Sequence, residues 1–288
     1  MIDKSLLIHA YNRWFYGSKK ADYTNFDFRK NPSAFEPVVF LSTGRCGTKW
    51  LTERLEGSNK FVPIHNPRPQ MRVQGRMMYQ YDFEKTDEET RSLLSEIFLA
   101  GREEIFVSAK RAGKELAITD SRGTFFAYII ATLFPNAKFV FIHRNPLEVI
   151  RSGLKRGWYT LENDSELNRI LPLAVNPHFE KWADYSSTEK IAWLWQETNR
   201  WILEFLETIP EERKHTIRFN NWDAQKLQSL FDFMGADISS KQIEKNLKVR
   251  SNAQNSNRNP QYTGWTEENQ REALEICGDM ARTLKYVL

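Results

Sequence analysis

The chain reads as a single α/β domain, with a central parallel sheet flanked by helices. Three observations predict this. Val38-Val39-Phe40-Leu41 is a short apolar, β-branched run that feeds a turn holding Gly44 and Gly47, followed by a helix-compatible segment at 49–55. A second apolar run, Lys138-Phe139-Val140-Phe141-Ile142, passes through His143-Arg144-Asn145 into another helix-compatible segment that opens at Pro146. Strand-type and helix-type segments then interleave along the chain, with no low-complexity linker, internal repeat or Pro/Gly/Ser-rich break between them. Interleaving of this kind argues for parallel strands covered on both faces.

The elements follow in order. The first strand falls near 37–42, where branched and aromatic side chains suit a pleated, buried ribbon, and its helix near 48–57. Leu116-Ala117-Ile118-Thr119 reads as a strand, and a helix through Phe125-Phe126-Ala127-Tyr128-Ile129-Ile130 runs on to Phe134. The strand at 138–142 comes next. Its helix starts at Pro146 because Asn145 is a good N-cap and proline suits the first helical position. Gly157 supplies the stop. A long helix spans Ile191 to Leu206, with Trp193, Trp195 and Trp201 at helical spacing, a pattern of core residues rather than cofactor stackers.

Composition narrows the function. The 288 residues include 9 Trp and 19 Phe and are 41% hydrophobic, enough for a sizeable core in one domain. A formal charge of +4 suits an anionic small ligand and requires neither nucleic acid nor a membrane surface. No apolar run approaches the length that spans a bilayer. Residues 1–9 carry no secretory h-region or cleavage site. Two cysteines, one inside the glycine turn, argue against a disulfide framework, so we expect a cytoplasmic location.

The chemistry concentrates in the two strand ends. A strand, a glycine turn and a helix aim free backbone N–H groups and the positive end of a helix dipole at an anion. Arg45 and Lys49 add side-chain charge there. A nucleotide-triphosphate loop ends in Gly-Lys-Ser/Thr, whose hydroxyl holds Mg²⁺. Here Thr48 and Lys49 follow Gly47 in the reverse order, and Trp50 stands where the metal ligand belongs. No metal is expected. Such a loop suits a donor whose transferred group carries less charge than a γ-phosphate, as a sulfuryl group does. Arg144 lies at the carboxyl end of the second strand, and Ser152 two turns along the next helix, a guanidinium and a hydroxyl for a second phosphate.

With these residues the chain resembles the soluble sulfotransferases that use 3′-phosphoadenosine 5′-phosphosulfate (PAPS), which have a P-loop-NTPase-like fold. Ser42-Thr43-Gly44-Arg45-Cys46-Gly47-Thr48-Lys49-Trp50 looks like that family's 5′-phosphosulfate loop. The resemblance implies that Arg45, Cys46, Gly47, Thr48 and Lys49 hold the 5′ side, that Trp50 stacks on adenine, and that Arg144 and Ser152 hold the 3′-phosphate. Arg258, seven residues before Trp265, is the best match to the family's basic C-terminal segment. The run from Gly264 to Tyr286 is similar to the family's closing helix, and Thr216-Ile217-Arg218-Phe219-Asn220-Asn221-Trp222 resembles a family strand that usually carries tyrosine and glutamate. Cys46 stands for the usual serine and Lys49 for a usual hydroxyl residue. The resemblance covers the chain after residue 35, leaving 1–35 as an N-terminal extension. Segments 60–105 and 158–190, weakly periodic and rich in charged and aromatic residues, are then the insertions that form the acceptor site and its lid.

The implied reaction moves a sulfuryl group from PAPS to a hydroxyl or amine of a small molecule or saccharide, leaving adenosine 3′,5′-bisphosphate (PAP). His65, in Pro63-Ile64-His65-Asn66-Pro67, is the candidate base on a proline-stiffened loop; the alternative is a histidine bound to backbone. Arg45 is expected to reach the bridging oxygen between phosphate and sulfate. Lys49 either steadies the sulfuryl oxygens or projects into solvent. Cys46 reads as a small residue packed in a tight loop rather than a nucleophile. Arg68 either binds donor or caps a turn, Asp120-Ser121-Arg122 either orients a ligand or caps the next helix, and Asp87-Glu88-Glu89 reads as a solvated face. Two other functions fit parts of the pattern: a P-loop small-molecule kinase, and a non-catalytic nucleotide- or anion-binding module.

Overall fold

A five-stranded, all-parallel sheet forms the centre of the computed structural model, which describes residues 31–83, 85–160, 169–219, 222–248 and 264–287. In chain order the strands are β1 (Val38–Leu41), β2 (Phe61–His65), β3 (Glu115–Thr119), β4 (Lys138–His143) and β5 (Lys214–Arg218), and in space they run β2-β3-β1-β4-β5. All four residues of β1 are buried, as is expected of a central parallel strand with helices over both faces.

The order explains where the site lies. After β1 the chain crosses toward β2, and after β4 it crosses the other way toward β5. β1 and β4 are neighbours, with Leu41 opposite Phe141. Their exits diverge and leave a crevice outside their carboxyl ends, the ligand position of open α/β sheets.

The helices are α1 (Thr48–Leu55), α2 (Arg72–Tyr79), α3 (Glu88–Arg111), α4 (Ala127–Leu133), α5 (Pro146–Leu154), α6 (Ser187–Glu207), α7 (Ala224–Met234), α8 (Ser240–Leu247) and α9 (Glu267–Thr283). Local signals set several of their ends. The Asn145 side chain accepts the Leu147 N–H at 2.9 Å, and Pro146 follows it into α5. Ser186 and Glu189 form a reciprocal capping box that starts α6 before its expected first residue. A 3₁₀ turn over Gly123–Phe126 leads into α4, where a single helix was expected. Trp193, Trp195 and Trp201 are buried on α6, in the core as their spacing implies.

Five elements went unseen in the sequence, β2, α2, α3, α7 and α8, and two of them show why. Phe61–His65 is an edge strand, so His65 ends a strand and does not sit on a loop. Pro63 disguised it. Asn66 N–H donates to Thr119 C=O, so by alternation the missing N–H of Pro63 falls on the open edge, where no ladder bond is lost. The 24-residue helix α3 buries Leu94, Phe98, Leu99, Arg102 and Phe106. Arg102 interrupts that apolar stripe, and its buried partner Asp120 lies on another element, at 3.4 Å. Segment 60–105 therefore supplies a sheet strand and most of two helices. Asp87 caps α3 by accepting the Thr90 N–H at 2.8 Å, with Glu88 and Glu89 exposed beside it.

Among the described residues no helix is long and apolar enough to cross a membrane. Phe35 packs on Phe134 with ring centroids 5.8 Å apart, tying the start of the described chain to the core.

Candidate active site

The glycine turn after β1 is held in a conformation that few sequences accept. Gly44, Arg45 and Gly47 all have left-handed backbones, at φ 85°, 60° and 79°. For Arg45 that geometry costs roughly 1–2 kcal/mol, so its surroundings must enforce it. They do. Arg144 Nη1 donates to the Arg45 carbonyl at 2.9 Å, and Arg45 Nε donates to Ser152 Oγ at 2.8 Å. Gly47 is sterically required as well: a Cβ there would come within 1.7 Å of the Phe219 ring. The turn therefore presents its amides, and those of the first turn of α1, in one fixed concave arrangement. No acidic residue occupies that first turn.

These groups open into a cavity of about 330 Å³ lined by Gly47, Thr48, Trp50, His65, Phe219 and the cations Arg45, Lys49, Arg122, Arg144, Arg156 and Arg169. Among the described residues no carboxylate lines it. Arg144 is fixed three ways, by the Arg45 carbonyl, by Glu148 Oε2 at 2.9 Å, and by its guanidinium 5.0 Å from the Phe219 ring centre. Behind it, Trp195 Nε1 donates to the Arg144 carbonyl at 3.1 Å.

The expected donor residues divide. Arg45, Gly47, Thr48, Lys49, Trp50 and Arg144 share the cavity. Ser152 does not line it; its contact is with Arg45, so it couples the two strand ends. Cys46 is fully buried, and burial pushes its thiol up to about 11, with a hydrogen bond to Thr43 opposing the shift. It is a packed, protonated side chain. Lys49 is half-exposed and 3.6 Å from Glu53. Trp50 packs on Trp222 with centroids 5.4 Å apart and carries the Arg54 guanidinium 4.9 Å from its ring centre. Arg68 is exposed and does not line the cavity. Arg258 lies outside the described residues.

His65 faces the same cavity, and its hydrogen bonds fix its tautomer. Thr52 Oγ1 donates to the Thr48 carbonyl at 2.9 Å, which uses its only proton. The Thr52–Thr119 hydroxyl contact, 2.6 Å, must then run from Thr119 to Thr52. Thr119, its proton likewise used, can only accept from His65 Nδ1, 2.9 Å away. Nδ1 therefore carries the hydrogen, and Nε2 keeps a lone pair that accepts from Asn66 Nδ2 at 2.9 Å. Burial, reinforced by the charge of Lys49, holds the ring below its ordinary titration range, so it is neutral near pH 7. Thr52, Thr119 and Asn66 escaped the sequence reading because the relay joins α1, β2 and β3, three elements that only the sheet order brings together.

Asp120 does not cap a helix with its side chain. It is buried against Arg102 and accepts the Arg122 N–H at 3.0 Å, fixing the turn that carries Ser121 and Arg122 to the cavity wall. His143 lies beneath the site, its Nδ1 2.8 Å from Tyr286 Oη. Burial, with Arg218 nearby, lowers it to about 4, which suits a structural role.

The class of protein defined here is an α/β protein with a parallel sheet, whose switch-point crevice holds a glycine turn, a helix start and several guanidiniums. Among solved structures the chain is similar to the sulfotransferase domain from the curacin biosynthetic pathway, at 16% identity and TM-score 0.51, over 88% of this chain and 99% of that one. It is also similar to the sulfotransferase domain of the Synechococcus PCC 7002 olefin synthase (16% identity, TM-score 0.49, 88% and 96% covered). A sulfotransferase from Mycobacterium avium is comparable (14% identity, TM-score 0.49, 98% and 82% covered). No protein-family model matches the sequence, and no curated protein matches it. The chain has the sulfotransferase fold.

Proposed function

We propose that this protein is a PAPS-dependent sulfotransferase that acts on a hydroxyl or amine of a small-molecule or saccharide acceptor. The observation that carries the reading is the cross-link of the two strand ends, Arg144 to the Arg45 carbonyl, in one cation-lined cavity that also contains a neutral imidazole. The donor set fits PAPS chemically: cations and backbone amides for oxyanions, an indole edge for a purine, and, among the described residues, no carboxylate in the lining to repel either phosphate.

In this reading the amides of Gly47, Thr48 and Lys49 hold the 5′-phosphate, and Arg45 reaches the oxygen that bridges phosphate and sulfate. Arg144 holds the 3′-phosphate, with Ser152 keeping Arg45 in place. Trp50 and Trp222 border the adenine. When bound, PAPS supplies an activated sulfuryl group. The Asn66 amide that donates to His65 Nε2 turns aside when an acceptor enters; Nε2 then receives the acceptor proton as the new S–O or S–N bond forms and the bond from sulfur to PAP breaks, while Thr119 holds the Nδ1–H. Arg45 and Lys49 stabilise charge on the leaving and equatorial oxygens, the electrostatic part of an in-line displacement.

Calorimetric titration with PAP in the absence of Mg²⁺ tests the donor assignment. Wild type should bind, and Arg144→Ala should lose roughly 10- to 100-fold in affinity, the worth of a charge-assisted contact. His65→Ala should keep PAP affinity and lose turnover in a radiolabelled sulfate-transfer screen against cell extract. Tighter binding of Mg²⁺–ATP than of PAP would instead point to a kinase, and PAP binding with no transfer to any acceptor to a non-catalytic module.

A further inference from the structure

The lone pair on His65 Nε2 is already taken. Asn66 Nδ2 donates to it at 2.9 Å, and both residues line the cavity. Among the described residues no other donor reaches that nitrogen.

The fold builds this contact. Side chains of successive strand residues point to opposite faces, so Asn66 would turn away from His65 if β2 continued. The backbone is instead left-handed at Asn66, with φ 51°, which breaks the alternation and returns the amide to the ring. The Asn66 N–H is anchored to the Thr119 carbonyl at 2.9 Å, while Thr119 Oγ1 accepts from His65 Nδ1 at 2.9 Å. One residue of β3 thus places both the ring and the amide that covers it. Asparagine and aspartate are the residues besides glycine that accept a left-handed backbone most readily, and of the two only asparagine can donate to a lone pair.

The consequence concerns water. With PAPS bound and no acceptor present, water is the competing nucleophile. Its oxygen would bond to sulfur, the bond from sulfur to PAP would break, and its proton would pass to Nε2, leaving sulfate and PAP. To reach Nε2 the water must first separate Asn66 from His65. It gives Nε2 one hydrogen bond in place of the one lost, with no further contact to offset its own ordering. An acceptor also brings its remaining contacts with the cavity, and that binding energy turns the amide aside.

We propose that Asn66 is a positioning residue that holds the His65 lone pair closed until an acceptor displaces it, and so selects acceptor over water. This rests on the donor and base assignments above and adds how that site is regulated.

Asn66→Gly and Asn66→Asp both accept the left-handed backbone, so each should keep the wild-type thermal midpoint and PAP affinity. Each protein is incubated with sulfur-labelled PAPS and no acceptor, and free sulfate is counted. Release should rise about 2- to 10-fold in Asn66→Gly, the worth of one neutral hydrogen bond. Nitrogen-15 NMR of the donor-free protein gives a readout that a purely structural Asn66 would not move. Burial, then the charge of Lys49, holds His65 below its ordinary range, with Arg45 acting the same way and the Thr119 contact and Glu53 opposing; neither variant replaces any of these groups. A donor to Nε2 stabilises the neutral ring, so its loss in Asn66→Gly should move the His65 titration upward. In Asn66→Asp a carboxylate faces the same nitrogen, favours the imidazolium and should move it further. An unchanged titration in either variant overturns the closed lone pair. Sulfate release that is equal in wild type and Asn66→Gly, including none from both, overturns the selection against water. A wild type that does not bind PAP fails the donor assignment instead, and the NMR titration then decides whether Asn66 closes Nε2.

Discussion

Replacing Thr119 with valine should disable the base without touching the donor site. The substitution keeps the branched shape that β3 requires and removes one hydroxyl. In the structure that hydroxyl accepts from His65 Nδ1 at 2.9 Å and donates to Thr52 at 2.6 Å. With a methyl in its place, the Nδ1–H is half-buried with no acceptor, which costs about 1–3 kcal/mol. The ring escapes by moving its hydrogen to Nε2, where rotation of the Asn66 amide turns a donor into an acceptor. A bias of 1–3 kcal/mol is a factor of roughly 5–150 in the tautomer ratio. Turnover should fall by about that factor, because the lone pair facing the cavity is lost. Nitrogen-15 NMR of labelled histidine reads the tautomer directly: His65 should be Nδ1-protonated in wild type and shift toward Nε2-protonated in the variant. PAP affinity should stay within about twofold, and Thr119→Ser, which restores the hydroxyl, should restore the wild-type signature. An Nε2-protonated ring in wild type, or an unchanged tautomer in Thr119→Val, would refute the relay.

Two further outcomes are expected. Gly47→Ala should destabilise the protein by roughly 2–4 kcal/mol in denaturant titration, since the new methyl meets Phe219 and the backbone is left-handed; Phe219→Leu should recover part of the loss, and simple additivity of the two changes would argue against the contact. His143 sets an acid limit on stability. Its folded value, about 4, lies below the unfolded 6.5, so the unfolded chain binds the extra proton between them. Its contribution is complete above pH 6.5 and falls as pH drops toward 4, by about 3 kcal/mol in all. His143→Gln should flatten the unfolding midpoint over that window.

Much of the fold was legible because it is written in local patterns. The apolar runs before Gly44 and Arg144, the Asn145-Pro146 start of α5 and the tryptophan spacing of α6 each depend on residues close in sequence. So does the turn after β1, whose left-handed backbone places glycine at 44 and 47. What stayed hidden depends on partners far along the chain. Strand β2 is concealed by Pro63, tolerable because among the described residues no strand pairs with its outer edge. Helix α3 is concealed by Arg102, at home in an apolar stripe because Asp120 and the Pro69 and Gly101 carbonyls meet it there.

The sequence by itself determined that a strand would feed a glycine turn and a helix start, and that an arginine would end a second strand. The tertiary structure decided the rest. The order β3-β1-β4 laid Arg144 against the Arg45 carbonyl, and β2 beside β3 gave His65 its threonine relay. Local backbone chemistry is encoded within a few residues, whereas the direction of a lone pair depends on groups that only folding makes neighbours.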